Sequence, residues 1–108
     1  MVIMTINKIE NLDVFEFLDK KVSNDSIDLA IIDPPYSLGV DDWDKFKNHG
    51  DFLKFTKNYL KKVYKKLKQN GSLYIFNTAF NSAFILIILE QLGMKFQNWI
   101  KKIFNMKN

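Results

Sequence analysis

The tetrapeptide Asp33-Pro34-Pro35-Tyr36 combines groups that suit one kind of chemistry. Asp33 offers a carboxylate acceptor, and the two prolines restrict the backbone so that acceptor atoms keep fixed positions. The prolines also lack N–H groups, which leaves their carbonyls as unopposed acceptors. Tyr36 adds an aromatic ring that can stack on a planar base. Together these groups fit a planar heterocycle with an exocyclic amino group, whose nitrogen they would orient for alkylation.

The element that must position this tetrapeptide is the apolar run 27–32, which directly precedes Asp33. Such a near-continuous run predicts a strand buried on both faces, as in a parallel sheet. The proline pair ends the strand because it cannot extend a hydrogen-bonded ladder. Ligands of open parallel α/β sheets bind outside the carboxyl ends of the strands. The tetrapeptide is therefore expected at the ligand-binding edge.

The remaining segments predict helices and strands in alternation. Predicted strands cover residues 2–6, 27–32, 72–77 and 94–100. Predicted helices cover residues 12–18 (capped by Asn11 or Asp13), residues 52–69 (capped by Asp51 and stopped by Asn70-Gly71) and a stretch that runs to about Leu92 (capped by Thr78 or Asn81 and ended by Gly93). Residues 37–50 predict a surface loop. This order implies parallel pairing through crossover helices, and hence an α/β, Rossmann-like fold.

The long central helix is predicted to be amphipathic. Its apolar stripe consists of Phe52, Phe55, Tyr59, Val63 and Leu67. Its other side carries lysines at positions 54, 57, 61, 65 and 68. Residues 1–51 have a net charge of −6 and residues 52–108 a net charge of +10. This asymmetry prompts a search for a polyanionic partner, although a solvated helix face is the simpler interpretation.

The composition excludes several classes of site. The 108 residues contain no Cys, which excludes a disulfide scaffold, a Cys-based zinc site and a Cys nucleophile. The single His49 has no second His and no Cys with which to share a metal ion, so it is interpreted as solvated or structural and no metal is expected. Neither a secretory signal nor a run long enough to span a membrane is visible, and a cytoplasmic protein is expected.

The segment IDLAIIDPPYSLG, the following WDKF and the later LKQNGSLYIFNT together resemble one known family. They are similar to motif IV and its flanks in the S-adenosylmethionine-dependent amino-methyltransferases that act on DNA, over about residues 7–100. The Asp form of the tetrapeptide, rather than a Ser form, points to adenine N6 over cytosine N4. The resemblance implies a partial Rossmann-like methyltransferase fold and double-stranded DNA with a flipped adenine as substrate.

The resemblance also implies roles for individual residues. Asp33 and the Pro34 carbonyl, in a loop held by Pro35, would bind the target amino group, and Tyr36 would stack on the flipped base. Asp33 would also lie near the methionine amino group of S-adenosylmethionine. Asp13 would match an acidic position that contacts the adenine of this cofactor. Without the resemblance, the tetrapeptide would also be compatible with a strand-ending turn that carries a structural tyrosine.

The sequence departs from the family in its glycines. The family binds its cofactor with a glycine-rich loop, but the four glycines of this chain are never closer than 11 residues. We therefore expect residues 1–108 to form one incomplete domain, the target-base half, without the cofactor loop and the target-recognition segment. Such an N-terminal fragment would be inactive alone. A non-catalytic nucleic-acid-binding remnant and a half-enzyme complemented by a second polypeptide are the alternatives.

Overall fold

The computed structural model describes residues 8–35 and 46–100. These residues form three helices and two strands in alternation. The elements are α1 (Val14–Lys21), β1 (Ile27–Ile32), α2 (His49–Lys66), β2 (Leu67–Ile75) and α3 (Ala79–Leu92). The predicted strand 2–6 lies outside the described residues, as do most of the predicted loop 37–50 and the C-terminal segment 101–108.

The two strands lie side by side in parallel, with α2 as the crossover between them. β1 has the predicted bounds, and its last residue Ile32 pairs with Ile75. At the other end Ile27 pairs with Leu67, and β2 bulges before the register resumes further along. The parallel α/β arrangement predicted from the order of elements is therefore confirmed, consistent with a partial Rossmann-like methyltransferase fold.

The boundary between α2 and β2 differs from the prediction. The helix ends at Lys66 and the strand begins at Leu67, so Asn70-Gly71 lies inside β2 and does not stop the helix. A Cβ atom on Gly71 would come within 3.0 Å of the Ile27 carbonyl oxygen. Because glycine has no Cβ, the two strands can approach each other closely at the bulge.

Side-chain caps fix where the helices begin. The Asp13 carboxylate accepts hydrogen bonds from the backbone N–H groups of Phe15 and Glu16, so α1 starts later than residue 12 and ends at Lys21. The cap of α2 is Asn48 and not Asp51, because the Asn48 side chain accepts from the Asp51 N–H at 2.9 Å. Residues 49 and 50 consequently belong to the helix.

α3 begins after one of its two predicted caps and ends at the predicted glycine. Thr78 is the N-cap, and its hydroxyl accepts from the Asn81 N–H at 3.1 Å. Gly93 follows the last turn with a φ of 106°, the left-handed conformation that glycine adopts at low cost. The strand predicted over 94–100 is wrong: this stretch is irregular, and Phe96 and Trp99 pack against each other instead.

The core lies on one face of the sheet. All three helices contribute to it, and its buried side chains are Leu18, Tyr59, Leu60, Val63, Leu67 and Ile85. Ala30 and Ile32 of β1 pack against this core, but Leu29 and Ile31 on the opposite face are 51% and 64% exposed. The expectation that β1 is buried on both faces is therefore wrong for the described residues, since the helices cover only one.

Among residues 8–35 and 46–100, no helix is both long enough and apolar enough to cross a bilayer.

Candidate functional site

Asp33 and the two prolines after it lie at the carboxyl end of β1, as predicted. The Phe76 N–H donates to the Ile32 carbonyl at 2.9 Å, one step beyond the last strand pair, so the register sets Asp33 beside the end of β2. Asp33 is exposed, Pro34 is buried and Pro35 is half-buried. A buried proline thus anchors the loop directly after an exposed acidic residue at the ligand-binding edge of the sheet.

Tyr36, the fourth residue of the tetrapeptide, lies outside the described residues, as do Trp43 and Asp44 of the flanking segment. Its expected stacking on a base stays a prediction.

Next to this edge, three polar side chains form a continuous chain of hydrogen bonds. The Asn81 amide donates to Asn77 Oδ1 at 2.9 Å, and the Asn81 Oδ1 lies 3.1 Å from His49 Nε2. Because an amide oxygen can only accept, His49 Nε2 is the donor in this hydrogen bond. The Thr78 N–H also donates to Asn77 Oδ1, at 2.9 Å. This chain ties the start of α2 and the start of α3 to the end of β2.

The His49 ring is also held by aromatic contacts. It stacks on Phe52 with a centroid distance of 5.5 Å and contacts Phe80 and Phe84 at 5.1 and 4.9 Å. Phe46 extends the cluster through Phe52. The imidazole is half-buried, bonded and packed, so the structural interpretation of His49 is correct and the solvated one is not.

Asp13, the other predicted cofactor residue, is at the start of α1 and not on β1 or β2. Its Oδ2 accepts both capping hydrogen bonds of the helix. The side chain is exposed, so its remaining oxygen stays accessible to a ligand. The capping role accounts for an acidic residue at this position without a cofactor.

The lysines on the outer side of α2 are exposed, as predicted from the helical spacing. They include Lys54, Lys57, Lys61 and Lys65, and Lys62 on the same helix donates to Asp19 of α1 at 2.8 Å. That ion pair lowers the pKa of the Asp19 carboxyl, chiefly through the hydrogen bond from Lys62. In the described ranges, no three His, Asp or Glu side chains converge to hold a metal ion.

The sequence did not predict the Asn77–Asn81–His49 chain. The local spacing predicts Asn81 only as a helix cap, whereas Thr78 takes that role and the Asn81 side chain bridges Asn77 and His49. The available signal was the pair Asn77-Thr78 directly after a strand, where polar residues collect at the binding edge of a parallel sheet.

Comparison with known proteins places this arrangement in a family. Residues 27–107 match the DNA methylase family, and the chain belongs to that family.

The matched relatives are Type II methyltransferases of much greater length. The Type II methyltransferase M1.MboII of Moraxella bovis is 55% identical over 97 residues, which are 90% of this chain and 37% of that protein. M.HpaI of Haemophilus parainfluenzae is 43% identical over 84 residues, which are 75% of this chain and 27% of that protein. The chain thus spans about a third of the length of these relatives.

Proposed function

We propose that this chain is the target-base half of a DNA methyltransferase that methylates the N6 amino group of adenine. One observation supports the proposal most: Asp33 follows β1 directly and is exposed, while Pro34 behind it is buried. This is the geometry of a fixed acceptor at the ligand edge of a parallel sheet. Membership of the DNA methylase family and the Type II methyltransferase names of the relatives support the reaction class.

In the proposed reaction the adenine is flipped out of the duplex, and its amino group donates hydrogen bonds to Asp33 and to the Pro34 carbonyl. These acceptors would orient the nitrogen lone pair and stabilise the positive charge that develops on the nitrogen as the N–C bond forms, while the bond between the methyl carbon and the sulfur of S-adenosylmethionine would break and release the neutral thioether. Tyr36 stacks on the base and returns part of the cost of extrusion. The nitrogen loses a proton after the transfer, so no base with a shifted pKa is required.

The residues of this chain fit only part of the methyl donor. S-adenosylmethionine supplies an electrophilic methyl group when bound, and the exposed Asp33 carboxylate suits its ammonium group. Asp13 is a proposed contact to its adenine. The sequence lacks a glycine-rich loop, in which the absence of side chains would let the backbone approach the rest of the cofactor closely. Its four glycines are too widely spaced to form one. We propose that the 108 residues are inactive alone and that a second polypeptide can supply the cofactor half.

The proposal is tested by methyl transfer from labelled S-adenosylmethionine to unmethylated phage DNA. The chain alone should transfer nothing. Mixed with the region of the M1.MboII enzyme outside the match, it should produce N6-methyladenine, identified by mass spectrometry of the digested DNA. Asp33→Ala should abolish the product, whereas Glu90→Ala, at an exposed position near the end of α3, should not. N4-methylcytosine would overturn the choice of base, and activity of Asp33→Ala would overturn the site.

A non-catalytic nucleic-acid-binding role is the second candidate, favoured by the exposed lysines of α2. Such binding would weaken steeply with salt, because each neutralised phosphate releases a counterion. Binding of the chain alone to duplex DNA with a strong salt dependence, combined with no methyl transfer in the mixture, would favour this role over the first.

A further inference from the structure

The face of the sheet opposite the helices is apolar and open in the described residues. Its side chains come from alternate positions of the two strands and from the residue that directly follows β2. They are Leu29 (51% exposed), Ile31 (64%), Tyr74 (48%) and Phe76 (56%). The register confirms that they share a face, because Ile31 pairs with Tyr74.

Such a face is unusual for this kind of sheet. Strands of parallel sheets are normally covered on both faces, which is why they are apolar throughout. Here α1, α2 and α3 all pack on the face of Ala30 and Ile32. The described helices therefore leave four large side chains of the other face in contact with water.

The outer edges of the described sheet also indicate a missing partner. Within residues 8–35 and 46–100 the sheet has two strands, so each strand pairs only with the other. The outer edge of each strand presents backbone N–H and C=O groups that another strand can bind. A partner that extends the sheet and adds a helical layer would satisfy the edges and the apolar face together.

From this geometry we infer that the Leu29–Ile31–Tyr74–Phe76 face docks the polypeptide that completes the methyltransferase domain. The inference rests on the proposed function for the identity of the partner. The larger part of each relative's length lies outside the match, which is enough chain for further strands and a second helical layer.

A second copy of this chain is the weaker occupant. Packing two such faces together would cover the apolar side chains but would leave the outer edges of both described two-stranded sheets unpaired, whereas a partner that adds strands would pair them.

The lack of Cys in this chain makes a direct test possible. Ile31→Cys and Tyr74→Cys place a thiol on the face, and Ile9→Cys places one at a position that is 95% exposed and far from the sheet in sequence. Each full-length variant is treated with a maleimide, with and without the M1.MboII region outside the match. Modification of this chain is followed by mass spectrometry.

We expect the partner to slow modification of the two face variants at least tenfold and to leave Ile9→Cys unchanged. Light scattering should report a one-to-one complex, and Ile31→Lys should abolish it. Equal modification rates with and without partner, or protection of the face in the chain alone through a homodimer, would overturn the inference. A complex that forms through this face but transfers no methyl group would uphold the docking surface and contradict the proposed function.

Discussion

His49 and Asn81 are 32 residues apart in sequence, yet the imidazole Nε2 and the amide Oδ1 lie 3.1 Å from each other. Asn81 is only 4% exposed and donates in turn to Asn77 at the end of β2. The first turns of α2 and α3 are thus joined to the sheet at the edge where Asp33 lies. The stability of this edge depends on a few buried polar contacts, which can be tested one at a time.

Asn81→Leu should destabilise the chain by about 1–3 kcal/mol, because it leaves the His49 N–H without its acceptor in a half-buried site. Asn58→Leu, on the exposed side of α2, should change stability by less than about 0.5 kcal/mol. Urea unfolding followed by circular dichroism measures both. Adding His49→Phe to Asn81→Leu should recover part of the loss, since both polar partners are then removed. Strictly additive effects would show that the two side chains are not coupled.

Thr56→Val should stabilise the chain by about 1 kcal/mol, because the buried Thr56 hydroxyl makes no hydrogen bond of good geometry and has only the equally buried Tyr59 hydroxyl as a polar neighbour. Thr78→Val is the matched control and should cost about 1 kcal/mol, since the Thr78 hydroxyl caps α3. Thermal unfolding of the two variants should shift in opposite directions. A loss of stability in Thr56→Val would show that its hydroxyl is bonded.

Stability should fall at high pH through Tyr59. Burial raises the pKa of this phenol above its usual range, while the unfolded chain ionises near a pKa of about 10. The folded state therefore binds more protons than the unfolded state above about pH 10. As pH rises, the free energy of unfolding of the wild-type chain should fall faster than that of Tyr59→Phe. The difference between the two slopes should approach about 1.4 kcal/mol per pH unit. Urea midpoints at pH 9, 10 and 11 give the comparison, and the lysines contribute equally to both proteins. Parallel curves would contradict the prediction.

Gly93→Ala should destabilise the chain by about 1 kcal/mol or more, because its φ of 106° is strained for alanine. A Cβ there would also come within 3.0 Å of the Tyr64 hydroxyl oxygen, but 3.8 Å from Cζ of the same ring. The same change in a Tyr64→Phe background isolates the backbone cost from the contact. If Gly93→Ala were harmless in both backgrounds, the helix end would not need the left-handed conformation.

The sequence predicted best the elements whose limits depend on local chemistry. β1 ends where two prolines follow, and α3 lies between a threonine cap and a left-handed glycine, so its limits could be predicted from neighbouring residues. Asn70-Gly71 resembles a helix stop, but pairing with β1 takes it into a strand. Residues 94–100 have strand-like composition, yet a strand requires a partner, which the described residues do not provide.

The site was predictable in part for the same reason. Asp33 and its prolines are contiguous, and their place follows from the strand before them. The His49–Asn81 contact depends on how α2 and α3 pack, which no local spacing indicates. The bare face of β1 also required the tertiary structure, because an apolar run does not reveal how many of its sides are covered.

The parallel pairing of β1 with β2 delays the formation of the sheet during synthesis. The first strand pair, between Ile27 and Leu67, cannot form until the ribosome has added about forty more residues after Ile27. At about 5–20 residues per second, the ribosome needs roughly 2–8 s to make that stretch. During this interval the apolar strand β1 is unpaired, because its backbone has no local partner to fold onto. The translation rate and access to chaperones, as well as equilibrium stability, therefore determine how much newly made chain reaches the folded state.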